Sequence, residues 1–130
     1  MHRFVLRVYY EDTDLAGIVY YANYLKFIER ARSEWVRAQG LDQRALRAAT
    51  GVVFAVRRVV ADYLAPACFD DLLEVQTRLS ARHPARLVLD QKVLRGAETL
   101  FAAEVTLVAL NANGRPVRLP PGLAGAAPAG

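Results

Sequence analysis

One segment of this chain has sustained helical periodicity, and it restricts the fold more than any other feature. Tyr24, Phe27, Ile28, Ala31, Trp35 and Ala38 recur at three- and four-residue spacing and form a single apolar stripe. Lys26, Arg30, Glu34 and Arg37 occupy the other side, with Arg30 and Glu34 spaced for an i,i+4 pair. The pattern predicts a helix of about 17 residues, roughly 25 Å long, starting near residue 22. Gly40 provides a natural C-terminal stop. A stripe of that length must lie on something broad.

The other periodic segments have strand character. RFVLRVYY (3–10) alternates loosely, VVFAVRRVVADYL (52–64) is valine-rich and stops before Pro66, and LEVQTRLS (73–80) places Leu73, Val75, Thr77 and Leu79 on one face. RLVLDQKVLR (86–95) turns at Gly96 and Ala97 into ETLFAAEVTLVAL (98–110), which is apolar on both faces as a central strand should be, and NANGRP ends it with turn chemistry. LDQRALRAATG predicts a short helical turn. The expected class is α+β: an antiparallel sheet of about five strands wrapped around one long central helix, so that a single contact buries the stripe and one sheet face. The other sheet face and the sheet edges stay uncovered. Association of copies would protect them, which predicts a homo-oligomer, a dimer at least and a tetramer as the fuller assembly.

With 130 residues, 54% hydrophobic and 23% charged, the chain is read as one domain over 1–130, its Pro-, Gly- and Ala-rich tail mobile from about 121. It contains no apolar run long enough to span a membrane, and MHRFVLRVYYED meets tyrosines and acids too early for a signal peptide, so no membrane insertion and a cytoplasmic location are expected. The single cysteine, Cys68, has no second Cys or clustered His beside it and reads as an ordinary packed or partly exposed residue. The net charge of +4 and pI of about 9.6 imply affinity for anions. The arginines are scattered without a basic run, which speaks against nucleic acid and leaves a phosphate-bearing small molecule.

Between the first strand and the helix lies YYEDTDLAGIVYYAN, with Glu11, Asp12 and Asp14 on a short connection. Acids ahead of a helix often only cap it or form Asx-turns. Asp14, however, stands some eight residues before the expected helix, too far to be its N-cap. The segment 18–22 delivers backbone N–H groups at the positive end of a long helix, where a developing oxyanion is stabilised. A carboxylate facing oriented amides is a minimal hydrolytic site.

YYEDTDLAGIVYYANYLKFIERAR, followed by FAVRRVVADYLAPACFDDLLEVQTRLS, LVLDQKVL and RPVRLP, resembles the hotdog-fold acyl-CoA thioesterases of the 4-hydroxybenzoyl-CoA thioesterase family, most of all the branch associated with the Tol-Pal system. The resemblance covers roughly residues 3–120. It implies hydrolysis of acyl-CoA thioesters with a short aliphatic or an aromatic acyl group, with no metal and no separate cofactor, coenzyme A being part of the substrate. It assigns Asp14 as nucleophile or general base, the Tyr21 backbone N–H as donor to the thioester oxygen, Gly17 as the residue that lets the loop approach the substrate, and Tyr10 as a supporting tyrosine. Tyr10 reads equally well as a core strand residue. Members of the Tol-Pal branch often carry histidine where this chain has Tyr21, so a histidine side chain is excluded from the mechanism.

Asp12 is expected to hold the loop through backbone amides, Asn23 to cap the helix and Glu29 to lie on a solvated face. Arg57 and Arg58 on the second strand, together with Arg82, His83 and Arg86 at the turn between the third and fourth strands, are the candidates for the phosphates of coenzyme A, and the resemblance raises Arg82 and Arg86 above the others. Two other readings remain: a hotdog hydratase, for which His83 is poorly placed, and a non-catalytic acyl-CoA-binding or assembly subunit.

Overall fold

The computed structural model describes residues 1–123. Its elements run β1 (His2–Arg7), a 3-10 turn (Tyr10–Asp12), α1 (Asn23–Ala38), α2 (Gln43–Thr50), β2 (Val53–Tyr63), β3 (Leu72–His83), β4 (Arg86–Arg95), β5 (Glu98–Leu110) and β6 (Pro116–Val117). All strand pairings are antiparallel, in the order β1-β3-β4-β5-β2, with β6 added to β5. The expected sheet around a central helix is therefore present, with a sixth, two-residue strand that turn chemistry at NANGRP had masked. The helical turn expected after Gly40 is a full eight-residue helix. The Asp42 carboxylate caps it by accepting from Arg44 and Ala45 amides, and Gly51 ends it in the left-handed conformation at φ 75°.

Helix α1 lies across β1, β3 and β4 and buries Tyr24, Phe27, Ile28, Ala31, Trp35 and Val36. Val36 takes the place expected of Ala38, which is exposed, because the stripe drifts around the helix over its last turn. Glu34 pairs with Arg37 rather than Arg30. Beneath the helix, alternate residues of the central strands close the core: Leu73, Val75 and Leu79 of β3, Leu87, Leu89 and Val93 of β4, Val105 and Leu107 of β5.

Two polar side chains sit in that core, Thr77 and Gln91, both fully buried and directly opposite in the β3–β4 register. Gln91 Nε2 donates to the Ile28 carbonyl at 2.9 Å and to Thr77 Oγ1 at 2.9 Å, while its Oε1 accepts from Arg32 Nη1 at 3.0 Å. The amide is thus satisfied on both ends, which is what permits it to be buried. Burial lowers the pKa of the Arg32 guanidinium, with Glu29 acting in the opposite direction, and the group remains a cation.

Packing continues past β6. Leu119 and Leu123 are buried, and the Leu119 amide bonds the Pro84 carbonyl at 2.9 Å. The rest of the tail expected to be mobile lies outside the described residues. No helix among the described residues is long and apolar enough to cross a membrane.

β1 and β2 are the sheet edges. β2 is eleven residues long, and Val53, Val56, Val59, Val60 and Tyr63 are exposed along it. Replacing Gln91 by Leu should destabilise the protein by about 1–3 kcal/mol, because the Arg32 cation and the Thr77 hydroxyl lose their buried partner. Urea unfolding should show this as a lower midpoint with an unchanged slope.

Candidate active site

The acidic connection folds into a closed loop held from three sides. The Asp12 carboxylate accepts the Tyr9 amide at 2.8 Å, as expected of a structural residue. Its carbonyl has the larger part: it accepts the Tyr20 amide at 2.9 Å and Asn23 Nδ2 at 2.9 Å, tying the start of the loop to the start of α1. Asn23 is therefore not the helix cap. Ala22 occupies that position without a side-chain bond, and Asn23 spends its amide on the loop.

Between these ties, Thr13 bridges Val19, the Asp14 amide bonds the Ile18 carbonyl at 2.9 Å, and the Gly17 amide bonds the Asp14 carbonyl at 3.0 Å. Gly17 has φ +81° and no atom within 4 Å of where a Cβ would stand. What demands glycine there is the left-handed turn.

The Asp14 side chain is exposed at the tip of this loop. Oδ1 accepts the Ala16 amide at 2.9 Å, and among the described residues Oδ2 has no protein donor. Across the loop, the amides of Tyr21 and Ala22 at the head of α1 have no acceptor among the described residues. One oxygen of the carboxylate is thus oriented, and the other has no protein donor among the described residues.

A second loop, 64–71, buttresses the first. The Val19 amide donates to the Ala67 carbonyl at 2.8 Å, Ile18 bridges Cys68, and the Ala67 amide donates to Tyr24 Oη at 3.0 Å. Burial raises the Tyr24 pKa against the Ala67 bond, and its ring stacks on Phe101 at 5.0 Å and 14°. Asp71 anchors the loop by accepting the Cys68 amide at 2.8 Å and pairing with Arg95 at 2.8 Å, while Arg95 also reaches Glu98 at 2.8 Å. Cys68 is exposed on this loop.

Tyr10 stands in the 3-10 turn, beyond the end of β1, 83% exposed and edge-on to Phe69 at 6.4 Å. It is not a core strand residue. Leu15, Tyr21, Leu64 and Leu72 are also exposed in this region, so an apolar surface surrounds the loop.

The basic candidates divide. Arg57, His83 and Arg86 line one cavity of about 630 Å³, floored by residues that include Val108, Leu110 and Pro116. Arg57 reaches it because a β-bulge interrupts β2 there. Arg82 is not part of it: it pairs in register with buried Leu87, and its Nε donates to the Leu123 carbonyl at 3.2 Å. Arg58 pairs with Glu104 at 3.8 Å.

The acid loop adjoins the Leu72 end of β3 and the basic cavity its His83 end. His83 is therefore roughly 35 Å from the acid loop along the strand at about 3.3 Å per residue, while Arg57 lies roughly 20 Å along β2 from Tyr63, whose hydroxyl bonds the Tyr21 carbonyl.

Sequence reasoning missed the buttressing loop, the Asp71–Arg95 pair and Tyr63, whose hydroxyl donates to the Tyr21 carbonyl at 2.8 Å. Their partners are distant in the chain, and only the Tyr-Leu-Ala-Pro turn after β2 marked the region.

The family model described as the thioesterase-like superfamily matches residues 8–127. The acyl-CoA thioester hydrolase YbgC of Escherichia coli O6:H1 is 43% identical over 112 residues, 85% of this chain and 83% of that protein. The acyl-CoA thioesterase YbgC of Haemophilus influenzae is 38% identical over 118 residues, 90% of this chain and 87% of that one. The crystal structure of a probable thioesterase from Bartonella henselae superposes with a TM-score of 0.88 at 39% identity, over 92% of this chain and 98% of its own.

Burial raises the Asp71 pKa, but the Cys68 amide and Arg95 outweigh it and hold the carboxyl below its ordinary value of 3.8. A depressed folded-state pKa adds stability above the unfolded value, and that stability is lost as pH falls through the folded one. Thermal unfolding followed from neutral pH to below pH 4 should show a falling midpoint, and Asp71→Asn should flatten the acid limb.

Proposed function

The chain belongs to the thioesterase-like superfamily, with the hotdog fold and an enzyme's role, and on that premise we propose that it hydrolyses acyl-CoA thioesters to free acid and coenzyme A. One observation supports the reading: the Asp12 carbonyl ties the acid loop that carries Asp14 to the start of α1, where among the described residues the Tyr21 amide has no acceptor.

In the proposed reaction the thioester oxygen lies against the Tyr21 N–H, where the amide and the helix dipole stabilise the negative charge that develops. Asp14 then acts in one of two ways. As nucleophile, its oxygen bonds the acyl carbon, the C–S bond breaks, the thiolate leaves and takes a proton, and water cleaves the mixed anhydride. As general base, it takes a proton from water as the water oxygen bonds the acyl carbon, and the departing thiolate receives that proton. Neither route calls for a metal or a separate cofactor. Gly17 holds the turn that presents Asp14, and Tyr10 flanks the site from the 3-10 turn.

A homo-oligomer accounts for two further features. β2 offers a free, valine-rich edge, and pairing it antiparallel with β2 of a second copy about a two-fold axis hides that edge. In such a dimer the cavity lined by Arg57, His83 and Arg86 of one copy would turn toward the acid loop of the other and offer a phosphate site for coenzyme A. A short aliphatic or aromatic acyl group would then lie in the apolar surroundings of the loop.

Thiol release from aliphatic and aromatic acyl-CoAs should fall by about two to three powers of ten in Asp14→Asn. Equal rates would sink the Asp14 mechanism, and binding without turnover in the unaltered protein would favour a non-catalytic acyl-CoA-binding subunit. Val59→Glu on the free edge should shift sedimentation toward the monomer and lower activity with it. A monomeric variant that keeps full activity would remove the composite site.

A further inference from the structure

Tyr63 is the last residue of the free edge strand β2, and it stands where the acid loop meets α1. Its ring meets Tyr21, Tyr24 and Phe101 edge-on at 6.2, 5.5 and 5.0 Å. Its hydroxyl does something the ring packing does not require: it donates to the Tyr21 carbonyl at 2.8 Å.

That carbonyl is out of the helix. In a regular α-helix it would accept the Leu25 amide, four residues on. Here the Leu25 amide bonds the Ala22 carbonyl at 3.2 Å, and the Asn23 amide bonds Tyr20 at 2.8 Å, so the first turn is tightened and bypasses Tyr21. Tyr63 is the group that holds the bypassed carbonyl. On the preceding side, the Tyr20 amide is held by Asp12. Tyr21 is therefore clamped between the loop and the edge strand, and among the described residues the N–H groups of Tyr21 and Ala22 have no acceptor.

The Tyr21 carbonyl and the Ala22 N–H belong to one planar peptide. Holding the carbonyl sets the direction of that N–H, and a hydrogen bond to the carbonyl polarises it. It also removes the freedom of Tyr21 to slip into the helical turn, which would reorient both amides.

We infer that Tyr63 is a positioning residue: by holding the Tyr21 carbonyl outside the helix, its hydroxyl aims the Tyr21 and Ala22 amides at the thioester oxygen. This role rests on the thioesterase reading of the site. Burial, with Tyr21 and Tyr24 adding to it, raises the Tyr63 pKa, which keeps the hydroxyl a donor throughout the neutral range.

The test compares the unaltered protein, Tyr63→Phe and Tyr63→Leu in thiol release from butyryl-CoA and benzoyl-CoA, with thermal unfolding and the ¹⁵N–¹H signal of Ala22 recorded in parallel. Tyr63→Phe keeps the ring contacts and loses only the bond. It should lower kcat by about tenfold or more, leave KM and the unfolding midpoint nearly unchanged, and shift the Ala22 signal. Tyr63→Leu, which loses both the bond and the ring contacts, should lower kcat at least as far as Tyr63→Phe and lower the unfolding midpoint as well. A Tyr63→Phe protein with unchanged kcat, or one whose rate falls while the Ala22 signal stays in place, overturns the positioning role and leaves the thioesterase reading intact. An unaltered protein that turns over neither ester overturns that reading, and the role of Tyr63 falls with it.

Discussion

The fold depends on the contact between the apolar stripe of α1 and the inner face of β3 and β4. Burial of Phe27, Ile28 and Ala31 against Leu73, Val75 and Leu89 supplies the hydrophobic drive, which is non-directional and would tolerate a helix slid or rotated along its groove. The Gln91 amide removes that freedom. Bonded at once to the Ile28 carbonyl, to Thr77 and to Arg32, it is satisfied in one register of helix on sheet. A helix displaced by one residue would leave a buried amide and a half-buried guanidinium unpaired, each a penalty of about 1–3 kcal/mol.

From that fixed helix the candidate site is built outward. Tyr24 of α1 receives the Ala67 amide, the Ala67 carbonyl receives Val19, and the Asp12 carbonyl receives both Tyr20 and Asn23. Backbone groups from three distant segments thus complete one another's hydrogen bonding, and the exposed acid loop acquires a defined shape without a hydrophobic core of its own. Edge strand β2 joins this arrangement at one end through Tyr63 and carries Arg57 near its middle, at the bulge. The strand on which a second copy would pair is therefore also the strand that reaches both halves of the proposed site.

Much of this was legible in the chain. The 3.6-residue period of α1 and the two-residue period of the strands reflect which face is buried, and burial is written locally in residue type. The acids, Gly17 and the helix start follow one another in sequence, so the acid-to-helix segment could be singled out, and within it the family resemblance pointed to Asp14 and Tyr21. Other assignments failed for a common reason. Asn23 looks like a cap, but the acceptor that claims it lies eleven residues back. Arg82 and Arg86 look like one basic turn, yet Arg82 is engaged by the Leu123 carbonyl and Arg86 by the cavity above Val108. Gln91 and Thr77 interrupt otherwise apolar faces, a visible signal whose meaning depends on their being opposite in register.

The amino-acid sequence by itself determined the elements, their buried faces and the acid-to-helix segment, since all of these rest on contacts between residues near in the chain. Tertiary structure alone decided which carbonyl closes the loop, which tyrosine holds the helix start, and that the turn between His83 and Arg86 lies at the far end of β3 from the acid loop. Those are matters of long-range register and direction, set when antiparallel strands pair, and no local pattern of residues encodes which partners distant strands will bring together.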